Sequence, residues 1–204
     1  MFKENISPEE IEQMELISFP GKIRVIDRKG PDLEYAVKYL SSQRMIGFDT
    51  ETRPVFTPHT PRNKTALLQL SGPGEAFLFR LNRIGLPKSV ADIMADHAIT
   101  KIGAAVGEDI RGLCEHTSFS AARFLDLQQF GFLHGIREKS VRKMAAIIFG
   151  RKVSKAQQCS NWEAEPLSEA QQLYAATDAW ICLEMYKALL ASPLVDLPLL
   201  ASQQ

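Results

Sequence analysis

The sequence predicts a single α/β domain in which helices cover a mixed β-sheet. Residues 45–81 contain three short apolar runs separated by turn residues, and after Leu81 helical stretches alternate with further apolar runs. This order is typical of a mixed sheet flanked by helices. The length of 204 residues suits one domain, and 45% hydrophobic with 24% charged residues is the composition of a globular protein. Disordered, collagen-like and disulfide-stapled classes are thereby excluded.

The first element is predicted to be a helix that begins at Ser7-Pro8-Glu9-Glu10. Serine there is suited to the N-cap, proline to the first helical position, and glutamate to the third position of a capping box. We expect residues 1–20 to form a peripheral N-terminal helical segment, residues 21–192 to form the main domain, and residues 193–204 to form a tail.

Within the main domain, strands and helices follow from periodicity and turn residues. Apolar alternation or short apolar runs predict six strands: Lys22–Asp27, Met45–Thr50, Thr65–Ser71, Ala76–Leu81, Ile99–Val106 and Arg123–Leu127. Helical spacing predicts the helices Pro31–Ser42, Pro87–Ala98, Asp109–His116 and Val141–Phe149. A last, long helix runs to about Leu190, because Ser168 and Gln171 form a capping box at its start.

Carboxylates stand at three of these elements. Asp49 and Glu51 end an apolar strand two residues apart, so both side chains point to the same face. Asp109 opens a helix, next to Glu108, which competes with it for any role. Tyr174 and Asp178 are spaced i, i+4 on the long helix and share a face among apolar neighbours. Taken singly, each pattern is also typical of solvated or structural residues.

Together the four carboxylates and one phenol predict a metal site. Hard oxygen ligands suit Mg²⁺ or Mn²⁺, and two such ions can hold a phosphodiester and activate water. The four histidines and three cysteines show no ligand spacing, and no glycine loop with lysine predicts a nucleotide triphosphate site.

Three motifs in fixed order resemble the DEDD superfamily of exonucleases, in the branch whose third motif is Tyr-x-x-x-Asp. They are IGFDTET at 46–52, KIGAAVGEDI at 101–110 and LYAATDA at 173–179. This branch includes ribonuclease D and the Werner syndrome exonuclease domain. The segment 161–171 also looks like ribonuclease D relatives, and the segment 65–71 resembles the second strand of the family. The likeness covers about residues 20–190. It implies a ribonuclease H-like fold with a five-stranded mixed sheet in the order 3-2-1-4-5.

The resemblance also implies roles for the site residues. Asp49 and Glu51 would hold two divalent cations, Asp178 would complete the site of the cation that activates water, and Asp109 would reach the other cation partly through water. Tyr174 would orient the attacking water. The implied activity is 3′→5′ exonucleolytic hydrolysis of DNA or RNA, which releases nucleoside 5′-monophosphates.

Contacts with nucleic acid are predicted from a basic segment and its surroundings. Seven basic residues and one acid lie between Arg137 and Lys155, which is typical of a solvated helix face or of a phosphate-binding patch. The candidates for nucleic-acid contact are Lys64, Arg151, Lys152, Lys155 and Trp162.

Two other functions remain open from the sequence. One is a catalytically silent module of the same fold that binds nucleic acid or a protein partner. The other is a two-metal hydrolase of small molecules or very short oligonucleotides, which the balance of 24 basic against 24 acidic residues keeps open. No signal peptide or membrane span is predicted, and sparse cysteines favour a cytoplasmic location.

Overall fold

A computed structural model describes residues 1–57 and 60–194 of the chain. The described residues form one six-stranded sheet with helices on both faces. The strands are β1 (Lys22–Ile26), β2 (Met45–Thr52), β3 (Thr65–Ser71), β4 (Glu75–Arg80), β5 (Thr100–Gly103) and β6 (Phe124–Asp126). The helices are α1 (Pro8–Glu12), α2 (Pro31–Ser41), α3 (Leu81–Ile84), α4 (Lys88–Ala95), α5 (Val106–Cys114), α6 (Leu127–Phe132), α7 (Val141–Phe149) and α8 (Glu169–Leu190).

The strand order is β1-β4-β3-β2-β5-β6. Strands β2, β3 and β4 are antiparallel neighbours, whereas β5 and β6 continue the sheet in parallel from β2. The predicted order 3-2-1-4-5 is present as β4-β3-β2-β5-β6, so the mixed α/β architecture is confirmed. The six strands predicted from the apolar runs are present, whereas the five-stranded sheet that the resemblance implies is one strand short. Strand β1 adds a sixth at the edge, because its alternating residues pair in parallel with β4 from Glu75 to Phe79.

Apolar side chains cover the two faces of the sheet differently. Helices α2 and α4 pack on one face, against a core that includes Phe48, Leu68 and Phe77. Helix α8 crosses the opposite face over β2 and β3. Gly47 of β2 allows this close packing, since a Cβ atom at that position would collide with the carbonyl group of Ala179. Alternation along β2 therefore turns Asp49 and Glu51 toward α8.

Several element boundaries differ from those predicted. The predicted strand over residues 99–106 ends at Gly103, because Ala105 adopts a left-handed backbone conformation (φ 58°) that turns the chain into α5. Helix α5 consequently begins at Val106 and not at Asp109. The short helices α3 and α6 were not predicted, since each follows a strand directly without a separating turn sequence.

The N-terminal segment packs firmly on the domain. Helix α1 has the predicted capping box at Ser7 and Glu10. Ile6 and Ile11 are buried against Ala146 of α7, while Phe19 is buried beside α8. Of the predicted tail, residues 195–204 lie outside the described residues. Across the described ranges, no helix is both long and apolar enough to cross a membrane.

Candidate active site

Three carboxylates meet where the end of β2 faces α8. Asp49, Glu51 and Asp178 each offer an oxygen, and these oxygens all lie within 4.8 Å of one another. Strand alternation places Asp49 and Glu51 side by side. The close approach of α8 at Ala179 brings the preceding residue, Asp178, onto them. The structure therefore brings together three of the four predicted carboxylates.

Burial makes the ionised form of these carboxylates unfavourable. Burial, followed by the charges of Asp178 and Asp109, raises the pKa of Asp49 well above its ordinary value. Burial and the neighbouring charge of Asp49 raise the pKa of Glu51 to about 10, and burial raises that of Asp178 to about 7.

No lysine or arginine of the described residues forms an ion pair with any of the predicted acids Asp49, Glu51, Asp109 or Asp178. Like charges this close ionise together only when a cation lies between them. The three-carboxylate cluster therefore fits a divalent cation, for which carboxylate oxygens are the preferred ligands.

Asp109 lies outside the three-carboxylate cluster but is tied to it through β2. The hydroxyl group of Thr50 donates a hydrogen bond to the Asp109 carboxylate. Thr50 stands between Asp49 and Glu51 and points to the opposite face of the strand. Burial raises the pKa of Asp109, while the Thr50 hydrogen bond lowers it in part. Thr50 was not predicted, although its place between two acids was a signal for it.

Tyr174 lies one helical turn before Asp178 and lines the same cleft. Burial, followed by the charges of Asp178 and Glu51, raises the pKa of its phenol well above the ordinary value of 10. The phenol therefore stays protonated at any physiological pH and can act as a hydrogen-bond donor.

A cleft of about 580 Å³ opens in front of the carboxylates. Asp49, Glu51, Tyr174 and Asp178 line one wall. The cleft is also lined by polar and basic side chains from α6, the loop before α7, α7 and the segment after α7, which together form the basic wall: Gln128, Lys139, Ser140, Arg142, Ser154, Lys155 and Gln158. An acidic wall, formed by Asp49, Glu51 and Asp178, and this basic wall thus line one cleft, an arrangement suited to a phosphodiester.

The predicted nucleic-acid contacts have different surroundings. Lys155 is exposed and lines the cleft. Arg151 instead pairs with Glu15 at 3.2 Å, and the Nζ atom of Lys152 donates to the carbonyl oxygen of Glu12 at 2.7 Å. Lys64 is exposed but does not line the cleft. Lys139 and Arg142, which do line it, belong to the basic segment but were not singled out.

The prediction that Trp162 contacts nucleic acid is wrong. Its side chain is fully buried, in a cluster with Leu67, Leu78 and Ala175, so the ring is not available to a ligand. The ring centroids of Trp162 and Tyr174 are 5.9 Å apart. The buried ring of Trp162 therefore packs beside the ring of Tyr174.

Comparisons with known proteins agree with this geometry. A family model described as 3'-5' exonuclease matches residues 26–192. The chain is 28% identical over 184 residues to the exonuclease mut-7 homolog of Homo sapiens. The aligned region covers 76% of this chain and 21% of that protein. It is 34% identical over 140 residues to exonuclease 3'-5' domain-containing protein 2 of Mus musculus, and that aligned region covers 63% of this chain and 22% of the relative. The chain thus spans about a fifth of the length of these two relatives.

Among solved structures, the Nibbler EXO domain of Aedes aegypti is similar with a TM-score of 0.72 at 25% identity. That likeness covers 85% of this chain and 90% of the Nibbler chain.

Proposed function

Because the chain belongs to the 3'-5' exonuclease family, we propose that it hydrolyses the terminal phosphodiester bond at the 3′ end of DNA or RNA. The products would be nucleoside 5′-monophosphates, and two divalent cations, Mg²⁺ or Mn²⁺, would serve the reaction. One observation carries this proposal: three carboxylate oxygens lie within 4.8 Å of one another, and none is paired with a basic side chain of the described residues.

The donor set fits the proposed cations. Asp49 and Glu51 would hold both ions, Asp178 would complete one site, and Asp109 would reach the other partly through water. Bound there, the ions would lower the pKa of the attacking water and stabilise charge on the leaving oxygen. The acids contribute by fixing where this chemistry occurs, since strand β2 and helix α8 hold their oxygens together.

Tyr174 would position the attacking water. Its pKa is raised by burial and by Asp178 and Glu51, so the phenol keeps its proton and donates a hydrogen bond. A general base needs a pKa near the working pH, and even the ordinary phenol pKa of about 10 lies above it, so we assign Tyr174 the role of positioning the water.

The basic wall would bind the phosphates upstream of the scissile bond. Lys139 and Lys155 line the same cleft as the carboxylates, as does Arg142, which is paired with Glu12. Nucleic-acid ligands are recorded for two solved structures of this fold: Trypanosoma brucei ribonuclease D in complex with RNA U12, and Brucella melitensis NrnC bound to pGG. A single strand or a recessed 3′ end is the proposed substrate.

A time course on 5′-labelled oligonucleotides tests the proposal. DNA and RNA, as single strands and recessed duplexes of graded length, are incubated with Mg²⁺, Mn²⁺ or EDTA. Asp49→Asn should lose activity, whereas Asp92→Asn, an exposed acid on α4, should retain it. We expect a metal-dependent ladder that shortens from the 3′ end.

The other outcomes separate the alternatives. Binding without cleavage on every substrate would favour the silent binding module. Cleavage confined to the shortest oligonucleotides would favour the hydrolase of small substrates. Full activity of Asp49→Asn would refute the proposed site.

A further inference from the structure

Gln69 of β3 is a buried amide without a partner. Its side chain is fully buried, and neither its amide nitrogen nor its amide oxygen has a hydrogen-bond partner among the described residues. Leaving such a group unpaired costs about 1–3 kcal/mol, and most buried polar side chains in proteins are paired. Packing alone does not explain a glutamine here, since an apolar side chain of similar volume would avoid that cost.

The sheet register places Gln69 directly beside the proposed metal site. Gln69 pairs with Asp49 of β2 and with Leu78 of β4. Directly opposite residues of antiparallel strands project to the same face with their Cβ atoms about 5 Å apart. Gln69 therefore lies on the face that carries Asp49 and that α8 covers.

The register places both apolar and polar side chains around Gln69, the polar ones including Asp49, Glu51 and the buried Arg80. Leu67, two residues away on the same face, and Leu78, its partner on β4, belong to one buried cluster with Ala175 of α8. The carboxylate of Asp49 is the polar side chain directly opposite the amide in the register. Asp49 is thus the acceptor that the register places directly opposite Gln69, while the Glu51 carboxylate lies diagonally from it on the same face.

We propose that Gln69 is a positioning residue for the metal site: its amide N–H, unpaired among the described residues of this structure, donates to the Asp49 carboxylate once a divalent cation is bound and holds that carboxylate in the orientation that binds the cation. This inference rests on the proposed metal-dependent function. The unpaired amide is the cost of keeping this donor ready in the metal-free protein.

The chemistry of an amide suits this place better than the alternatives. A lysine or arginine would pair with the carboxylates and compete with the cation. A leucine or methionine would offer Asp49 no donor, and a glutamate would add a fourth negative charge. A neutral donor orients the Asp49 carboxylate and leaves its negative charge free to interact with the metal. Hydrogen-bond partners of metal ligands typically change metal affinity by about 10- to 100-fold when they are removed.

The variant Gln69→Met tests the inference, because methionine keeps the volume and removes the donor. Leu78→Met is the matched control on the other side of Gln69, a volume-conserving change at a buried position of the same face. The affinity for Mn²⁺ is measured by calorimetry and the melting temperature is measured in EDTA. A positioning role predicts that Gln69→Met raises the Kd for Mn²⁺ by about 10- to 100-fold. Its metal-free melting temperature should equal or exceed that of the wild type, because an unpaired amide is removed.

A merely structural glutamine would give the opposite pattern. A Kd for Mn²⁺ within about twofold of the wild type, or a lowered metal-free melting temperature with unchanged affinity, would overturn the inference. Wild-type protein that binds no Mn²⁺ and cleaves no oligonucleotide would overturn the proposed function as well, so the two failures are distinguishable.

A second measurement uses the unmodified protein. In nitrogen-15 NMR spectra, the side-chain NH₂ signals of Gln69 should shift when Mg²⁺ is added. Unchanged signals, while those of the Asp49 backbone move, would count against the hydrogen bond.

Discussion

Replacing Asp178 by asparagine should stabilise the metal-free protein while it removes activity. Asparagine has nearly the same shape as aspartate but carries no charge. Asp178 lies with Asp49 and Glu51 in a cluster whose oxygens are within 4.8 Å of one another. Burial disfavours the charge on Asp178, and the neutral amide avoids that cost.

The size of the effect follows from the pKa of Asp178, which burial raises from an ordinary value of 3.8 to about 7. A pKa difference of about 3 corresponds to about 4 kcal/mol. The folded protein binds this proton more tightly than the unfolded chain does, so wild-type stability is lost as the pH rises from about 4 to about 7. Above that window, we expect Asp178→Asn to be more stable by about 2–4 kcal/mol, or by roughly 5–15 °C in melting temperature.

Thermal unfolding in EDTA between about pH 5 and pH 8 measures this difference. The advantage of Asp178→Asn should grow with pH and level off above about pH 7. Adding Mg²⁺ should stabilise the wild type more than the variant, because the variant has lost a proposed ligand. Its exonuclease rate should fall by roughly 10²- to 10³-fold. A variant that is less stable than the wild type at about pH 8, or an advantage that does not depend on pH, would refute the reasoning.

Three further changes test the surroundings of the site. Gly47→Ala should lower the free energy of unfolding in urea by about 2–4 kcal/mol, because a Cβ atom would collide with the α8 backbone. At the control position Gly107 a Cβ atom meets open space. Gly107→Ala should therefore leave the free energy of unfolding unchanged or raise it by up to about 1 kcal/mol. Thr50→Val removes the hydrogen bond to Asp109 and so raises the pKa of that carboxyl. The rate should then fall by roughly 10-fold, and the acidic limb of the pH–rate profile should move to higher pH; an unmoved limb would contradict this role. Glu12→Gln releases Arg142, whereas Lys152 keeps its hydrogen bond to the backbone carbonyl of residue 12. Oligonucleotide binding in EDTA should therefore tighten, and the slope of log affinity against log salt should steepen by about 1; an unchanged slope would show that Arg142 does not contact phosphate.

Much of the site could be predicted from the sequence because its parts depend on local rules. Two-residue alternation on a strand is enough to put Asp49 beside Glu51, and helical spacing is enough to put Tyr174 and Asp178 on one face. Neither rule says that the strand and the helix meet. The order of three motifs, which resembles a known family, supplied that link, and the structure confirms it for the carboxylates of β2 and α8.

The environment of the basic segment could not be predicted, since it depends on contacts between distant parts of the chain. Charge counting treats Arg151 and Lys152 as equivalent to Lys155. The fold pairs the first two with acids of the N-terminal segment and leaves Lys155 at the cleft. The burial of Trp162 could not be predicted for the same reason, because it depends on packing against β3, β4 and α8. Gln69 gave a sequence signal, a polar residue within an apolar strand, that the motifs did not explain.

The two walls of the cleft depend on different kinds of packing. The acidic wall is set by the close contact between β2 and α8, where a glycine and an alanine let the backbones approach. The basic wall depends on the N-terminal segment, because Glu12 pairs with Arg142 at 2.6 Å and the segment packs on α7. A change in the first contact should therefore alter folding and metal binding together. A change in the second should alter substrate binding while the metal site stays intact, so metal affinity and oligonucleotide affinity should vary independently in variants of the two walls.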